Sequence, residues 1–188
     1  GAGIGVLTYP LGLSAGRVIA YEIDGRLTPI LEETVRGLGN VEVREEDILK
    51  CPMSNVQCPM SDYKLVGNLP YYITSRILRH FLSAKHKPKR IVVTIQKEVA
   101  ERICGKPPSL SLLAVSVQLY GASKIIARIS KNCFFPRPDV DSAVIALDVE
   151  VPPSDFDENN FFVLVKAGFS HKRKLLIRNL EGGLLFRE

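Results

Sequence analysis

Four consecutive residues, Asn68-Leu69-Pro70-Tyr71, carry the most specific chemistry in this chain. They follow the apolar run Leu65-Val66-Gly67, which reads as a strand end, and a helix-like segment starts at Thr74 or Ser75. At the carboxyl end of a strand, such a set can hold an exocyclic amine. The Asn68 side-chain oxygen and the Leu69 carbonyl can each accept one hydrogen of an –NH2 group. That grip favours a nitrogen whose lone pair has left the ring π-system and can attack an electrophile. Pro70 fixes its own φ and stiffens the turn. Tyr71 offers a flat face to a base drawn out of its stack. The same four residues also suit a plain turn that closes a strand.

Three further features stand in a fixed order before this motif. Gly1-x-Gly3-x-Gly5 precedes a helix, where glycines let backbone approach a ligand and a helix start offers free N–H groups. Dinucleotide dehydrogenases and simple turns share that pattern. Glu22 ends the next strand, where a carboxylate can take both hydroxyls of a ribose. A solvated strand-end acid beside Asp24 is the plain alternative. Asp47 follows the third strand-like segment and could accept from an adenine amine or simply shape a turn. In open α/β sheets the ligand lies outside the carboxyl ends of the strands, where all four features fall. A hydride-transfer enzyme has no use for the Asn68–Tyr71 grip, whereas an amino methyltransferase does.

The elements that must position these residues alternate. Arg17–Glu22, Val41–Arg44, Tyr63–Gly67 and Arg90–Gln96 read as strands. Helical segments are expected over Val6–Ser14, Leu27–Val35, Arg76–Ala84, Lys97–Ile103 and about Ser109–Tyr120. Residues 50–62 read as an irregular loop, and Lys85–Lys89 as a basic turn. Lys124–Ile129 and Ala143–Val149 are two more strands, separated by the Pro-rich Phe134–Pro138. Asn160–Phe169 and Leu175–Leu180 look helical. Alternation of this kind indicates an α/β fold with a mostly parallel sheet. Pro152-Pro153 marks the expected boundary, giving domains 1–151 and 152–188.

A chain of 188 residues with 46% hydrophobic content can bury a core. No apolar run is long enough to span a membrane and the start lacks a signal peptide, so a cytoplasmic location is expected. The four cysteines form no C-x-x-C pair, which argues against zinc and for free thiols. A net charge of +5 suits a polyanionic partner. The densest positive cluster is His171-Lys172-Arg173-Lys174, which could equally be a solvated helix face.

Taken together, the chain resembles the ribosomal RNA adenine dimethyltransferases, which modify two adjacent adenines near the 3′ end of small-subunit rRNA. The resemblance covers nearly all 188 residues. Its most specific carriers are Gly67–Ile73 and Phe134–Ala143. Gly1–Gly5, Tyr21–Asp24, Glu46–Leu49, Gln96–Val99 and Phe169–Lys174 add to it. The resemblance implies a Rossmann-like class I methyltransferase sheet followed by the start of a small C-terminal helical domain. It implies S-adenosyl-L-methionine as cofactor, with Gly1 and Gly3 lining its methionine part, Glu22 on the ribose and Asp47 on its adenine amine. Asn68 and the Leu69 carbonyl would grip the target N6 amine, with Pro70 stiffening the turn and Tyr71 and Phe134 on the two faces of the base. Without the resemblance, Phe134 reads equally as a core residue. Lys172, Arg173 and Lys174 would contact RNA. Gln96-Lys97-Glu98 reads as structural first and RNA-facing second. No metal or membrane partner is expected, and the protein is taken as a monomer.

The family has a strand ending in an acid directly before the glycine loop, and a longer helical domain at the other end. Neither is found in these 188 residues, so a seam in the sheet and weak cofactor binding by this piece are expected. Two alternatives share the fold: a large-subunit rRNA adenine methyltransferase of the antibiotic-resistance type, and a non-catalytic rRNA-binding assembly factor.

Overall fold

A computed structural model describes residues 1–51, 62–171 and 173–184. Two compact units divide it, residues 1–95 and 96–188. The first unit opens on the glycine loop, followed by helix α1 (Thr8–Ser14), strand β1 (Val18–Glu22), α2 (Thr28–Thr34) and β2 (Val41–Glu45). Strand β3 (Lys64–Asn68), a single 3-10 turn at Tyr71–Ile73, α3 (Thr74–Leu82) and β4 (Arg90–Gln96) complete it. β1 and β2 pair in parallel, Val18 opposite Val41 and Glu22 opposite Glu45. β3 and β4 also pair in parallel, Lys64 opposite Arg90 and Asn68 opposite Thr94. The two pairs belong to separate sheets, the seam expected above.

Each element follows from its residues. β4 is the β-branched run Arg90-Ile91-Val92-Val93-Thr94-Ile95-Gln96, and its buried positions alternate through Ile91, Val93 and Ile95. α3 buries Ile77, Leu78, Phe81 and Leu82, spaced at one helical face. Leu31 of α2 and Val35, just past its end, pack with Ala20 of β1, and Ala2, Leu38, Val41 and Val43 cover that cluster. Pro29 sits in the first turn of α2, where its missing N–H costs no hydrogen bond.

The second unit contains α4 (Lys97–Ile103), α5 (Leu112–Gln118), β5 (Ser123–Ile129), β6 (Ser142–Asp148), α6 (Glu158–Gly168) and α7 (Leu176–Leu184). β5 and β6 are antiparallel, with an irregularity between Ile125 and Ala127. α6 and α7 approach closely: a Cβ added at Gly183 would lie 2.5 Å from the Ala167 Cβ. Buried Asn179 of α7 donates to the Gly168 and His171 carbonyls at 2.9 and 3.0 Å, capping the end of α6.

Boundaries shift where a local hydrogen bond outweighs the pattern. α5 starts at Leu112 rather than Ser109, because Ser111 caps it by accepting from Ala114 N–H at 3.1 Å. Asn68 is the last residue of β3 rather than the first beyond it, since the ladder to β4 reaches Thr94. α3 begins at Thr74, as expected from the segment after the motif, although its amphipathic pattern was read only from Arg76. Most of the loop expected over residues 50–62 lies outside the described residues. No helix among the described residues is long and apolar enough to cross a membrane.

Candidate active site

The carboxyl ends of β1, β2 and β3 in the first unit carry the residues singled out above. The glycine loop is tied down from both sides. The Gly1 and Ala2 nitrogens donate to the Tyr21 carbonyl at 2.8 and 2.9 Å, and Thr34 Oγ1 donates to the Ile4 carbonyl at 2.8 Å. Gly3 has φ +60° and Gly5 φ +92°, conformations that side-chain-bearing residues rarely adopt. A Cβ at Gly5 would also lie 2.9 Å from Thr34 Cγ2, whereas one at Gly3 would meet nothing within 4 Å. Gly5 thus serves packing on α2, and Gly3 presents bare backbone to open space.

Glu22 is only 4% exposed. Its Oε2 accepts from Gly3 N–H at 2.7 Å, and its Oε1 accepts from the Ile23 and Asp24 N–H groups at 2.8 and 3.0 Å. Burial by itself would raise its pKa. The backbone donors of Asp24 and Gly3 outweigh that and hold the carboxyl below its ordinary value. Glu22 therefore stays ionised and fastens the glycine loop. Its Oε2 engages a single donor, which leaves one lone pair for a ligand hydroxyl.

Asp47 follows β2 in a loop tied to β1 by the bond from Glu46 N–H to the Glu22 carbonyl at 2.9 Å. Its Oδ1 accepts from Leu49 N–H at 3.0 Å, and its carbonyl accepts from the Lys50 and Cys51 nitrogens. It is thus a turn-forming aspartate, and Oδ2 keeps acceptor capacity among the described residues. Both acids lie within electrostatic reach of the Gly1 end of the glycine loop.

The motif after β3 stands against that loop. A Cβ at Gly1 would lie 3.9 Å from Pro70 Cδ. Leu69 is anchored by its N–H to the Thr94 carbonyl at 3.1 Å and by its buried side chain. The Pro70 carbonyl accepts from Ile73 N–H at 3.1 Å and Thr74 Oγ1 at 3.4 Å, which locks the turn. Neither the exposed Asn68 carboxamide nor the Leu69 carbonyl has a hydrogen-bond partner among the described residues. Two acceptors on a rigid turn, both unpaired, suit a bound –NH2 group. Tyr71 is half-buried in the 3-10 turn that follows.

The remaining expected residues belong to the second unit or lie outside the description. Phe134 is half-buried, directly after the 3-10 turn Lys131–Cys133, and its N–H donates to the Lys131 carbonyl at 3.4 Å. Arg173 and Lys174 are exposed ahead of α7, and Lys172 lies outside the described residues. Among the described residues no group of His, Cys, Asp and Glu is arranged to hold a metal. A cavity of about 360 Å³, which the spacing gave no sign of, is lined by Gln96, Lys97, Glu101, Lys131, Asp139 and Asp141. Asp141 organises it, accepting from Lys97 N–H through its carbonyl and from Lys131 N–H through Oδ1, both at 3.0 Å.

Parallel strand pairs with helical crossovers and a glycine loop ahead of the first helix define an α/β fold of the Rossmann-like methyltransferase class. A dimethyladenosine transferase from Plasmodium falciparum superposes with a TM-score of 0.83 at 28% identity, over 96% of this chain and 65% of that one. The 23S rRNA methyltransferase ErmE superposes with a TM-score of 0.79, also at 28% identity, over 96% and 72%. Within that class the chain belongs to the ribosomal RNA adenine dimethylase family, whose model matches residues 1–184. It is 42% identical over 188 residues to the ribosomal RNA small subunit methyltransferase A of Dehalococcoides mccartyi, and 42% identical over 190 aligned positions to that of Streptococcus pneumoniae. The alignments cover 98% and 97% of this chain and 64% and 66% of those proteins.

Proposed function

We propose that the protein transfers methyl groups from S-adenosyl-L-methionine to the N6 amines of two adjacent adenines in a 3′-terminal hairpin of small-subunit rRNA. The observation that carries this is the acceptor pair, the Asn68 carboxamide and the Leu69 carbonyl, unpaired among the described residues and held on a locked turn against the glycine loop. Family membership and the small-subunit relatives support the choice of target.

The residues present fit the cofactor. Gly3 offers bare backbone to open space, Glu22 Oε2 keeps an acceptor for a ribose hydroxyl, and Asp47 Oδ2 keeps one for an adenine amine. When bound, the cofactor supplies an electrophilic methyl carbon, so the chain needs no acid–base pair of its own. The chain's part is placement. Asn68 and Leu69 hold the amine hydrogens and so aim the nitrogen lone pair, and Tyr71 stacks on the extruded base. Stacking contributes about 1–3 kcal/mol per base and offsets part of the cost of unstacking. The transferred amine loses its proton to water. Arg173, Lys174 and Lys172 add phosphate contacts.

Residues 1–151 form the methyltransferase domain in this proposal, and 152–188 a linker with the start of a helical domain. The protein acts as a cytoplasmic monomer on its RNA. The likeness to a 23S rRNA methyltransferase favours a second target, large-subunit rRNA. Tritiated methyl transfer to immature small subunits and to large-subunit rRNA separates the two. Label should enter small subunits, and Asn68→Ala should lower the rate about 100-fold or more, as expected for loss of a positioning contact. Label entering large-subunit rRNA alone would replace the target. Retained RNA binding with no label in either would make the protein an assembly factor.

A further inference from the structure

Charge along the chain is strongly segregated around the proposed amine grip. From Tyr63 to Lys97 there are eight lysines and arginines and no acidic residue. The whole chain carries +5, so the other residues together carry −3. The folded unit gathers part of this charge on one surface. α3 turns Ile77, Leu78, Phe81 and Leu82 inward, and Arg76, Arg79 and Ser83 are exposed. With Tyr72 just ahead of the helix, the stripe Tyr72, Arg76, Arg79 and Ser83 follows the spacing of one helical face. Lys85 in the next turn extends it.

Two properties distinguish this stripe from an ordinary solvated face. Solvated helices mix charge signs and pair them at i, i+4. Here the Arg76 and Arg79 guanidinium groups and the Lys85 ammonium have no acidic or hydrogen-bond partner among the described residues. At its amino end stands Tyr72, 86% exposed and directly after Tyr71. A tyrosine left in water beside a base-binding turn does no packing for the fold.

We infer that Tyr72, Arg76, Arg79 and Lys85 form a track for the single-stranded RNA that flanks the target nucleotide. Tyr72 stacks on the neighbouring base and the two arginines hold successive phosphates. At a 1.5 Å rise per residue, the stripe from Tyr72 to Ser83 spans about 17 Å. Guanidinium groups bind phosphate through paired N–H donors, and an aromatic face accepts any base. The inference rests on the proposed RNA target but not on methyl transfer itself.

The test measures binding of the full-length protein to a fluorescent hairpin RNA with single-stranded flanks, across a potassium chloride series. Arg76→Glu/Arg79→Glu should weaken binding at least tenfold and reduce the slope of log affinity against log salt by about 1.4, or about 0.7 per lost phosphate. Tyr72→Ala should weaken binding about fivefold or more with the slope unchanged, and Tyr72→Phe should restore it. In methyl transfer these losses should fall on the RNA KM. Unchanged thermal midpoints verify folding. The charge-matched Lys124→Glu/Arg128→Glu, on exposed positions of β5, is the control. An equal loss of slope in both double variants would mean that net charge alone attracts RNA, and would overturn the track, as would unchanged binding in the α3 variants. Binding that behaves as expected without any methyl transfer would leave the track standing and remove the proposed activity.

Discussion

Glu22 illustrates how one side chain can serve the fold and the site together. Its carboxylate is buried and takes three backbone N–H groups, one from the glycine loop at Gly3 and two from Ile23 and Asp24 just after its own strand. The folded pKa lies below the unfolded one, so this stabilisation is present above the ordinary value of 4.5 and is lost as pH falls through the folded value. Glu22→Gln should therefore lower stability by about 2 kcal/mol at pH 7, the size of a lost charged hydrogen bond. Thermal melts from pH 7 to pH 3 should show the difference from the parent chain narrowing below pH 4.5. A constant difference would contradict the ionised clasp. Residue types marked Glu22 as a strand-end acid, and ribose or water were the partners in view. Its bond from Gly3 was not legible, because it depends on the glycine loop folding back across 19 residues, whereas the Ile23 and Asp24 donors are local.

At the scale of elements, packing often hangs on one polar contact between apolar surfaces. Tyr120 follows α5, is buried, and donates through its hydroxyl to Glu158 Oε2 at 3.0 Å at the start of α6. Burial, reinforced by that carboxylate, pushes the phenol well above its ordinary pKa, so it remains a donor through the neutral range. The Tyr120 carbonyl also accepts from Glu150 N–H at 2.8 Å. Tyr120→Phe keeps the ring and removes only the hydroxyl. It should cost about 1 kcal/mol in denaturant unfolding and raise amide exchange in the first turns of α6. β4 and α4 match the spans read from pattern alone, since β-branched alternation and helical spacing are local signals. α5 was overextended because propensity does not reveal that the Ser111 hydroxyl would be used as its cap.

At the scale of the whole molecule, ligand binding should feed back on stability. A ligand bound by the native state alone stabilises it by about 2.7 kcal/mol at one hundred times its Kd. For a chain of this length that corresponds to a rise in Tm of about 5–10 °C. S-adenosyl-L-methionine should produce such a rise, and Gly3→Val, which places a branched side chain at φ +60° in the open space of the loop, should abolish most of it. A nicotinamide dinucleotide giving the same rise would count against the proposed cofactor.

The order of residues alone singled out the candidate site residues and, to within a few positions, determined which segments become strands and helices. Those properties depend on neighbours three or four residues away. Only the tertiary structure decided that Gly1 lies close to Pro70, that Glu22 clasps Gly3 while Oε2 keeps one acceptor position, and that Asn68 and the Leu69 carbonyl are left without partners among the described residues. Such facts arise from parallel strand pairing across long connections, which brings distant loops to one edge while leaving local propensity unchanged.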